Sequence, residues 1–152
     1  PGPEPPNAAF AGALPAGGLP RLDWSIPDGT QGVILELGAN DALRGIAPEA
    51  TEKNLDAMLV RLKERGIAVL LAGMMAPPNM GADYATRFNG IYQRLADKHG
   101  VPLYPFFLDG VVTHANLQIE DGMHPNPEGV DVMVRSFLPA AEAFLGSIKA
   151  GE

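Results

Sequence analysis

The chain has 152 residues, a formal net charge of −7 and no cysteine. This length suits one domain with a sizeable core, and the acidic balance argues against nucleic acid or an anionic membrane surface as a partner. Lack of cysteine excludes disulfides and thiolate chemistry. No apolar run approaches the ~20 residues that span a bilayer. The N-terminus lacks the basic and apolar regions of a signal peptide, but a secreted protein would have lost that segment, so the cellular compartment stays open.

The first twenty residues are rich in proline and glycine, which predicts an irregular N-terminal segment over 1–20 and an α/β domain over 21–152. The unbroken apolar run Gln31–Leu37 predicts a strand buried on both faces. Apolar residues then recur at helical spacing, and Gly66 ends that helix; they are Leu55, Met58, Leu59 and Leu62.

The second half repeats this alternation. Ile67–Ala72 is a second buried strand, a helix is expected over 82–98, and Val101–Tyr104 is a third strand. Asn126 is a suitable N-cap for a last helix with Pro127 at its first position, kinked or broken near Pro139. Alternating strands and helices predict a parallel sheet flanked by helices. Ligands in such sheets bind beyond the carboxyl ends of the strands.

Two short motifs carry the chemistry. Gly38-Ala39-Asn40-Asp41 directly follows the first strand, where the Asn40 amide could donate to a developing oxyanion. Asp121-Gly122-Met123-His124 directly precedes the last helix. An aspartate three residues before a histidine can accept the Nδ1–H bond and leave Nε2 as a general base. As alternatives, Asp121 could cap a turn with Gly122, and Asn40 and Asp41 could cap the following turn.

These two motifs, in this order and spacing, resemble the third and fourth conserved blocks of the SGNH (GDSL-type) hydrolases, and the chain is most similar to their thioesterase/lysophospholipase/arylesterase branch. The resemblance spans Asn7 to about Ile148. It implies a three-layer, flavodoxin-like α/β fold and an Asp-His pair acting with a serine nucleophile. It also implies Gly12 as a second oxyanion donor beside Asn40. No cofactor is implied.

The first block of that family, a Gly-Asp-Ser-Leu with the nucleophile, is absent from the chain. In the family, the strand before this block lies beside the equivalent of Gln31–Leu37, so the architecture is expected to miss its first strand. The apolar Gln31–Leu37 would then be an unpaired edge, which invites pairing with another chain. We therefore expect the N-terminal segment, a second copy in a homo-oligomer, or a piece outside this chain to cover it.

Other candidate residues are weaker. The chain has three serines, Ser25, Ser136 and Ser147, and none has the strand-to-helix context of a reactive hydroxyl; Ser25 is the first substitute nucleophile to consider. His99 is expected to be a helix C-terminal cation, and His114 has no evident partner. These dispersed histidines predict no metal site. Met74, Met75 and Met80 follow the second strand, where the resemblance implies an acyl pocket; core filling is the alternative.

The sequence therefore predicts an ester hydrolase of carboxylesterase, arylesterase or thioesterase type, acting on a small-molecule ester or thioester. His124 is the base, Asp121 orients it, and Asn40 and Gly12 bind the oxyanion. Three accounts of the nucleophile stay open. The chain could be a shortened or naturally short form, a nucleophile could come from Ser25 or a partner chain, or His124 could activate water. The alternative function is an impaired or truncated domain that binds acyl or ester ligands without turnover.

Overall fold

A computed structural model describes residues 8–11, 15–122 and 124–150 of the chain. The strands are β1 (Ala8–Ala11), β2 (Gly32–Glu36), β3 (Ala68–Ala72) and β4 (Leu103–Tyr104). The helices are α1 (Pro15–Ser25), α2 (Ala39–Leu43), α3 (Pro48–Glu64), α4 (Ala82–Asn89), α5 (Ile91–His99) and α6 (Pro127–Ala150). Short 3-10 turns lie at Pro78–Met80 and Ala115–Leu117.

The four strands form one sheet in the order β1-β2-β3-β4, and each neighbouring pair is parallel. Val33 and Leu35 of β2 pair in register with Val69 and Leu71 of β3, and all four side chains are buried on one face of the sheet. This face is covered by α1, α3, α4 and α5, whose apolar residues complete the main core. The parallel α/β prediction is therefore confirmed.

The opposite face of the sheet is covered by α6. The Phe137 ring of this helix contacts Tyr104 of β4 at 5.0 Å between centroids. Near the other end of α6, Phe144 and Ile148 pack so closely on Gly32 that a Cβ there would lie 2.4 Å from the Ile148 side chain. Gly32 begins β2, so α6 runs antiparallel to the strands and its N-terminus points to their carboxyl ends. The helices thus form one layer on each face of the sheet, which gives the three-layer architecture that the resemblance implies.

The N-terminal part differs from the sequence prediction. Residues 8–11 form β1 and residues 15–25 form α1, so the prediction that 1–20 is irregular is wrong for those residues. Helix α1 contains Pro20 and lies against α3, where Leu22 and Ile26 are almost completely buried. Burial of these two side chains outweighs the weak helix propensity of the glycines and the proline.

The predicted unpaired edge at Gln31–Leu37 is also wrong. Strand β1 pairs with β2 from Ala8–Gly32 to Ala11–Leu35, so β2 lies inside the sheet between β1 and β3. Of the expected covers, the N-terminal segment is the one found there. Strand β2 therefore has no free backbone edge to offer to a second copy of the chain.

Candidate active site

Two elements meet the carboxyl end of the sheet with the polar groups that the sequence singles out. Asn40 lies in α2, which starts directly after β2. His124 lies three residues before α6, whose N-terminus points to the same end. The topology therefore brings the two predicted motifs to one end of the sheet, where parallel α/β folds bind their ligands.

His124 and Asp121 are hydrogen-bonded to each other. Nδ1 of His124 lies 2.5 Å from Oδ2 of Asp121, and the main-chain N–H of His124 donates to Oδ1 at 3.0 Å. Because a carboxylate only accepts hydrogen bonds, the proton of a neutral imidazole belongs on Nδ1 and the lone pair on Nε2. The His124 side chain is 66% exposed, so this basic nitrogen is accessible to a substrate or water.

The loop around this pair is fixed by backbone bonds. The Ile119 N–H donates to the His124 carbonyl at 2.9 Å, and the Asn126 N–H donates to the Leu117 carbonyl at 2.9 Å. The Asn126 side chain accepts from the Gly129 N–H at 2.9 Å, which confirms its predicted role as N-cap of α6. A Cβ at Gly129 would lie 2.2 Å from the Leu117 oxygen, so only glycine permits this approach.

Asn40 is exposed at the start of α2, where its side chain can reach a ligand. Gly38 precedes α2 with φ +114°, a left-handed conformation that glycine adopts without strain. The next residue, Asp41, is completely buried, and its Oδ2 accepts from the Thr51 hydroxyl at 2.8 Å. Asp41 therefore attaches the start of α2 to α3 through Thr51, while the Asn40 side chain is exposed to solvent.

The other predicted site residues have different positions. Gly12 lies outside the described residues. Met74 is buried in the main core, so it fills the core at this strand end. Met75 is half exposed, and the Met80 methyl lies 3.4 Å from a Cβ position at Gly45, beside the turn that bears Asn40. Met80 therefore borders the segment that bears Asn40.

Ser25 lies at the wrong end of the sheet to act as the nucleophile. It is the last residue of α1, which returns from the carboxyl end of β1 towards the start of β2. The neighbouring Ile26 carbonyl accepts from Arg65, the residue that caps α3 just before β3 begins. An 11-residue helix is about 16 Å long. That length separates Ser25 from the end of the sheet that bears Asn40.

The other two serines lie on α6, and His99 lies on α5. Ser147 is near the end of α6, where its hydroxyl donates to the Phe144 carbonyl at 2.6 Å, and Ser136 is exposed in the middle of that helix. His99 Nε2 lies 2.6 Å from Asp56 of α3, so His99 joins α5 to α3. Among the residues that the structure describes, no group of three or more acidic, histidine or cysteine side chains could hold a metal ion.

Several residues that the sequence does not reveal hold the segment 37–46, which bears Asn40. The Tyr92 hydroxyl donates to the Leu37 carbonyl at 2.6 Å, and the Tyr84 hydroxyl donates to the Ile46 carbonyl at 2.6 Å. The spacing of Tyr84, Phe88 and Tyr92 predicts one apolar stripe, but it does not reveal that two of its members end in donors to one turn. The Asp41–Thr51 bond likewise had no sequence signal.

The comparisons with known proteins agree with the fold and the motifs. Residues 4–132 match the family model described as "GDSL-like Lipase/Acylhydrolase family". The chain belongs to this family. The resemblance inferred from the two motifs is therefore confirmed.

Related proteins of this GDSL-like family are longer than the chain. It is 39% identical over 123 residues to an arylesterase of Vibrio mimicus, covering 80% of this chain and 62% of that protein. It is 39% identical over 120 residues to the esterase TesA of Pseudomonas aeruginosa, covering 78% of this chain and 60% of that protein. The chain thus spans about three fifths of the length of these relatives.

Solved structures give the same result. A crystal structure of TesA superposes with a TM-score of 0.80 at 34% identity, covering 86% of this chain and 73% of that one. AlinE4, described as an SGNH-hydrolase family esterase, gives a TM-score of 0.69 at 41% identity, covering 86% of this chain and 71% of that one. No helix among the described residues is long and apolar enough to cross a membrane.

Proposed function

We propose that this chain supplies the base and the oxyanion donor of an ester-hydrolysing site, with a small carboxylic ester or thioester as substrate. The observation that carries the proposal is the bonded His124–Asp121 pair at the same end of the sheet as Asn40. Membership of a family whose relatives are named arylesterase and esterase supports the same reaction class.

In the proposed reaction, His124 Nε2 removes a proton from an attacking O–H group while the oxygen of that group bonds to the ester carbonyl carbon. If the group is a hydroxyl rather than water, the product is an acyl ester of that hydroxyl, and a water molecule then releases the acid by the same steps. Asp121 holds the ring and stabilises the imidazolium that forms. The Asn40 side-chain N–H donates to the oxyanion of the tetrahedral intermediate. The imidazolium then returns its proton to the leaving oxygen or sulfur as the bond from the carbonyl carbon to that atom breaks.

The attacking O–H group does not come from Ser25, because that residue ends α1 at the amino end of the sheet. We propose that it is a water molecule or a hydroxyl group outside the three serines of this chain. The exposure of His124 is compatible with either source, since both need access to Nε2. Gly12 stays a proposed second oxyanion donor.

A second function, the binding of acyl or ester ligands without turnover, is favoured by one observation. None of the three serines lies at the His124 end of the sheet. Removing the nucleophile from a catalytic triad leaves little rate. A ligand site needs no base, however, and the bonded His124–Asp121 pair therefore favours hydrolysis.

Hydrolysis of a short-chain nitrophenyl ester separates the two functions. We expect turnover by the chain that His124→Ala abolishes and His114→Ala leaves unchanged, because the His114 side chain is exposed and lies within hydrogen-bonding distance of the neighbouring Thr113 hydroxyl, while its main-chain bonds do not depend on the ring. Saturable binding of the ester with no turnover above the His124→Ala background would reject hydrolysis in favour of binding alone.

A further inference from the structure

The segment that bears Asn40 is a short helical turn. We name residues 37–46 the Asn40 turn. Its own backbone hydrogen bonds are those of one short helix and its end: the Ala42 and Ile46 N–H groups donate to Gly38 and Asp41 at 3.0 Å, and the Arg44 and Gly45 N–H groups donate to Asn40 and Ala42 at 3.1 Å. Helix α2 has only five residues, and isolated helices of that length are unstable. The position of Asn40 therefore depends on contacts from outside the turn.

Two tyrosines provide such contacts at the two ends of the turn. The buried Tyr92 hydroxyl donates to the carbonyl of Leu37, the first residue of the turn, at 2.6 Å. The Tyr84 hydroxyl donates to the carbonyl of Ile46, the last residue, at 2.6 Å. Both donors belong to the α4–α5 region, and both acceptors belong to the backbone of the turn. The backbone is thus held on either side of Asn40.

The two tyrosines are themselves joined through Phe88. The Phe88 ring centroid lies 6.0 Å from that of Tyr84 and 6.0 Å from that of Tyr92, and the Phe88 side chain is completely buried. We name these three residues the aromatic ladder. Their spacing of four residues places them along one side of α4 and α5. Packing of the two tyrosine rings on the buried Phe88 ring restricts the distance between the two hydroxyl donors.

The turn is shaped to receive the ladder. A Cβ at Gly38 would lie 2.1 Å from the Tyr92 hydroxyl, so the absence of a side chain at Gly38 makes room for that oxygen. Phe88 also lies 3.5 Å from the same Cβ position. A third bond, from Thr51 to the buried Asp41, ties the middle of the turn to α3.

Both hydroxyl groups stay protonated donors at ordinary pH. Burial raises the pKa of the Tyr92 hydroxyl well above its usual range, and the charges of Glu36 and Asp41 raise it further. Burial, together with the Asp41 charge, also raises the pKa of Tyr84, against an opposing effect of Arg87. Ionisation of the donors therefore does not break either bond at neutral pH.

We infer that Tyr84 and Tyr92 are positioning residues for Asn40, holding the two ends of the turn so that its side-chain N–H meets the substrate oxyanion. This inference rests on the proposed function for the role of Asn40, but the geometric part can be tested without turnover. Neither tyrosine touches the substrate in this account. Each acts through the backbone of the Asn40 turn.

The first experiment measures the turn itself by NMR on 15N-labelled protein. Tyr84→Phe and Tyr92→Phe each remove one hydroxyl and keep the ring. We expect the Asn40 side-chain amide signals to move in both variants. The Ala42 and Ile46 amides should exchange with solvent between about 2- and 10-fold faster, as the loss of one hydrogen bond implies. Tyr104→Phe is the matched control, because Tyr104 packs on Phe137 at the opposite face of the sheet.

Unchanged Asn40 signals in both folded variants would overturn the inference, even if the melting temperature fell, because that result means a structural role alone. If Tyr92→Phe does not fold, Tyr84→Phe decides the question, since Tyr84 is only partly buried. Changes of equal size in Tyr104→Phe would also overturn it.

The second experiment compares each tyrosine variant in two backgrounds. With Asn40 present, we expect kcat for the nitrophenyl ester to fall about 10-fold at unchanged KM, because complete loss of an oxyanion donor costs roughly 100- to 1,000-fold. In the Asn40→Ala background the same variants should have no further effect. An equal fall in both backgrounds would contradict positioning. If the parent chain hydrolyses no ester, the proposed function fails and the NMR result alone judges the positioning role.

Discussion

His124 and Asp121 form two hydrogen bonds with each other, one between their side chains and one from the His124 main-chain N–H group. Nδ1 of His124 lies 2.5 Å from Oδ2, and the His124 N–H donates to Oδ1 at 3.0 Å. The second bond fixes the carboxylate, and the first then fixes the ring. In this arrangement the Nδ1–H group donates to Asp121, and the lone pair of Nε2 is left to accept a proton.

The first prediction concerns Asp121→Asn. An asparagine can present its amide N–H group to Nδ1, which favours the tautomer with the proton on Nε2 and removes the base. We expect ester turnover to fall by about a thousandfold or more and the 15N shifts of the His124 ring to show the other tautomer. Glu120→Gln removes an exposed charge one residue away and should change neither measurement. Full activity of Asp121→Asn would show that the pair is structural.

The second prediction concerns Gly38→Ala. The substitution combines a positive φ of +114° with a Cβ 2.1 Å from the Tyr92 hydroxyl. We expect the free energy of unfolding to fall by about 2–4 kcal/mol, from backbone strain and the lost Tyr92 bond together. Gly66→Ala is the control, because Gly66 has φ +69° and open space around its Cβ position. Urea unfolding of both variants gives the comparison, and equal losses would refute the close fit of Tyr92.

The third prediction concerns Thr51→Val, which keeps shape and removes the hydroxyl. Asp41 Oδ1 has no hydrogen-bond partner among the described residues, so the variant would leave both oxygens of a buried carboxyl group without one. We expect the free energy of unfolding to fall by about 1–3 kcal/mol, the usual penalty for an unsatisfied buried polar group. Thr86→Val, an exposed position bonded within α4, should change stability by less than about 0.5 kcal/mol. No difference between them would remove Asp41–Thr51 as an anchor.

The fourth prediction is a pH dependence at Glu36, the last residue of β2. Burial raises the pKa of its carboxyl group, so the folded state binds the proton more tightly than the unfolded chain does. Stability from this group is complete below the unfolded pKa of about 4.3 and is lost as pH rises through the folded pKa. Glu36→Gln should therefore stabilise the protein at neutral pH, with a gain that vanishes on acidification below pH ~4. Denaturation midpoints across pH 3–8 check this, and a gain independent of pH would contradict it.

The fifth prediction concerns the nucleophile. Treatment with a fluorophosphonate should leave Ser25, Ser136 and Ser147 unmodified, because α1 and α6 hold them away from His124. Intact mass and peptide mapping give the result. A stoichiometric adduct on Ser25 would contradict the placement of α1 and restore Ser25 as the substitute nucleophile.

The sequence alone predicted the interior strands because their apolar runs leave few alternatives. Gln31–Leu37 and Ile67–Ala72 contain β2 and β3, and Asn126 caps α6 as expected. The helix expected over 82–98 is divided at Gly90 into α4 and α5. Gly90 also makes room for Arg94, because a Cβ there would lie 2.5 Å from the Arg94 side chain. Helix α6 is one helix from Pro127 to Ala150, with Pro139 inside it.

The N-terminal elements could not be predicted because their local signals oppose them. Pro20 and the neighbouring glycines favour a loop, and only packing of Leu22 and Ile26 against α3 makes α1 a helix. The residues of the candidate site likewise fall into those that the sequence reveals and those that it does not. The motif spacing revealed Asp121 and His124, while the bonds from Tyr84 and Tyr92 depend on which backbone carbonyls lie near their hydroxyls in the folded chain.

The most direct test of the account is whether Asn40 and His124 respond to one ligand as one site. A 15N-labelled sample titrated with butyrate, the carboxylate product of a short-chain ester, reports on the Asn40 side-chain amide and the His124 ring in the same spectra. We expect both signals to shift along a single binding curve with the same Kd. Separate binding curves, or a shift of one residue with the other unchanged at saturation, would contradict it.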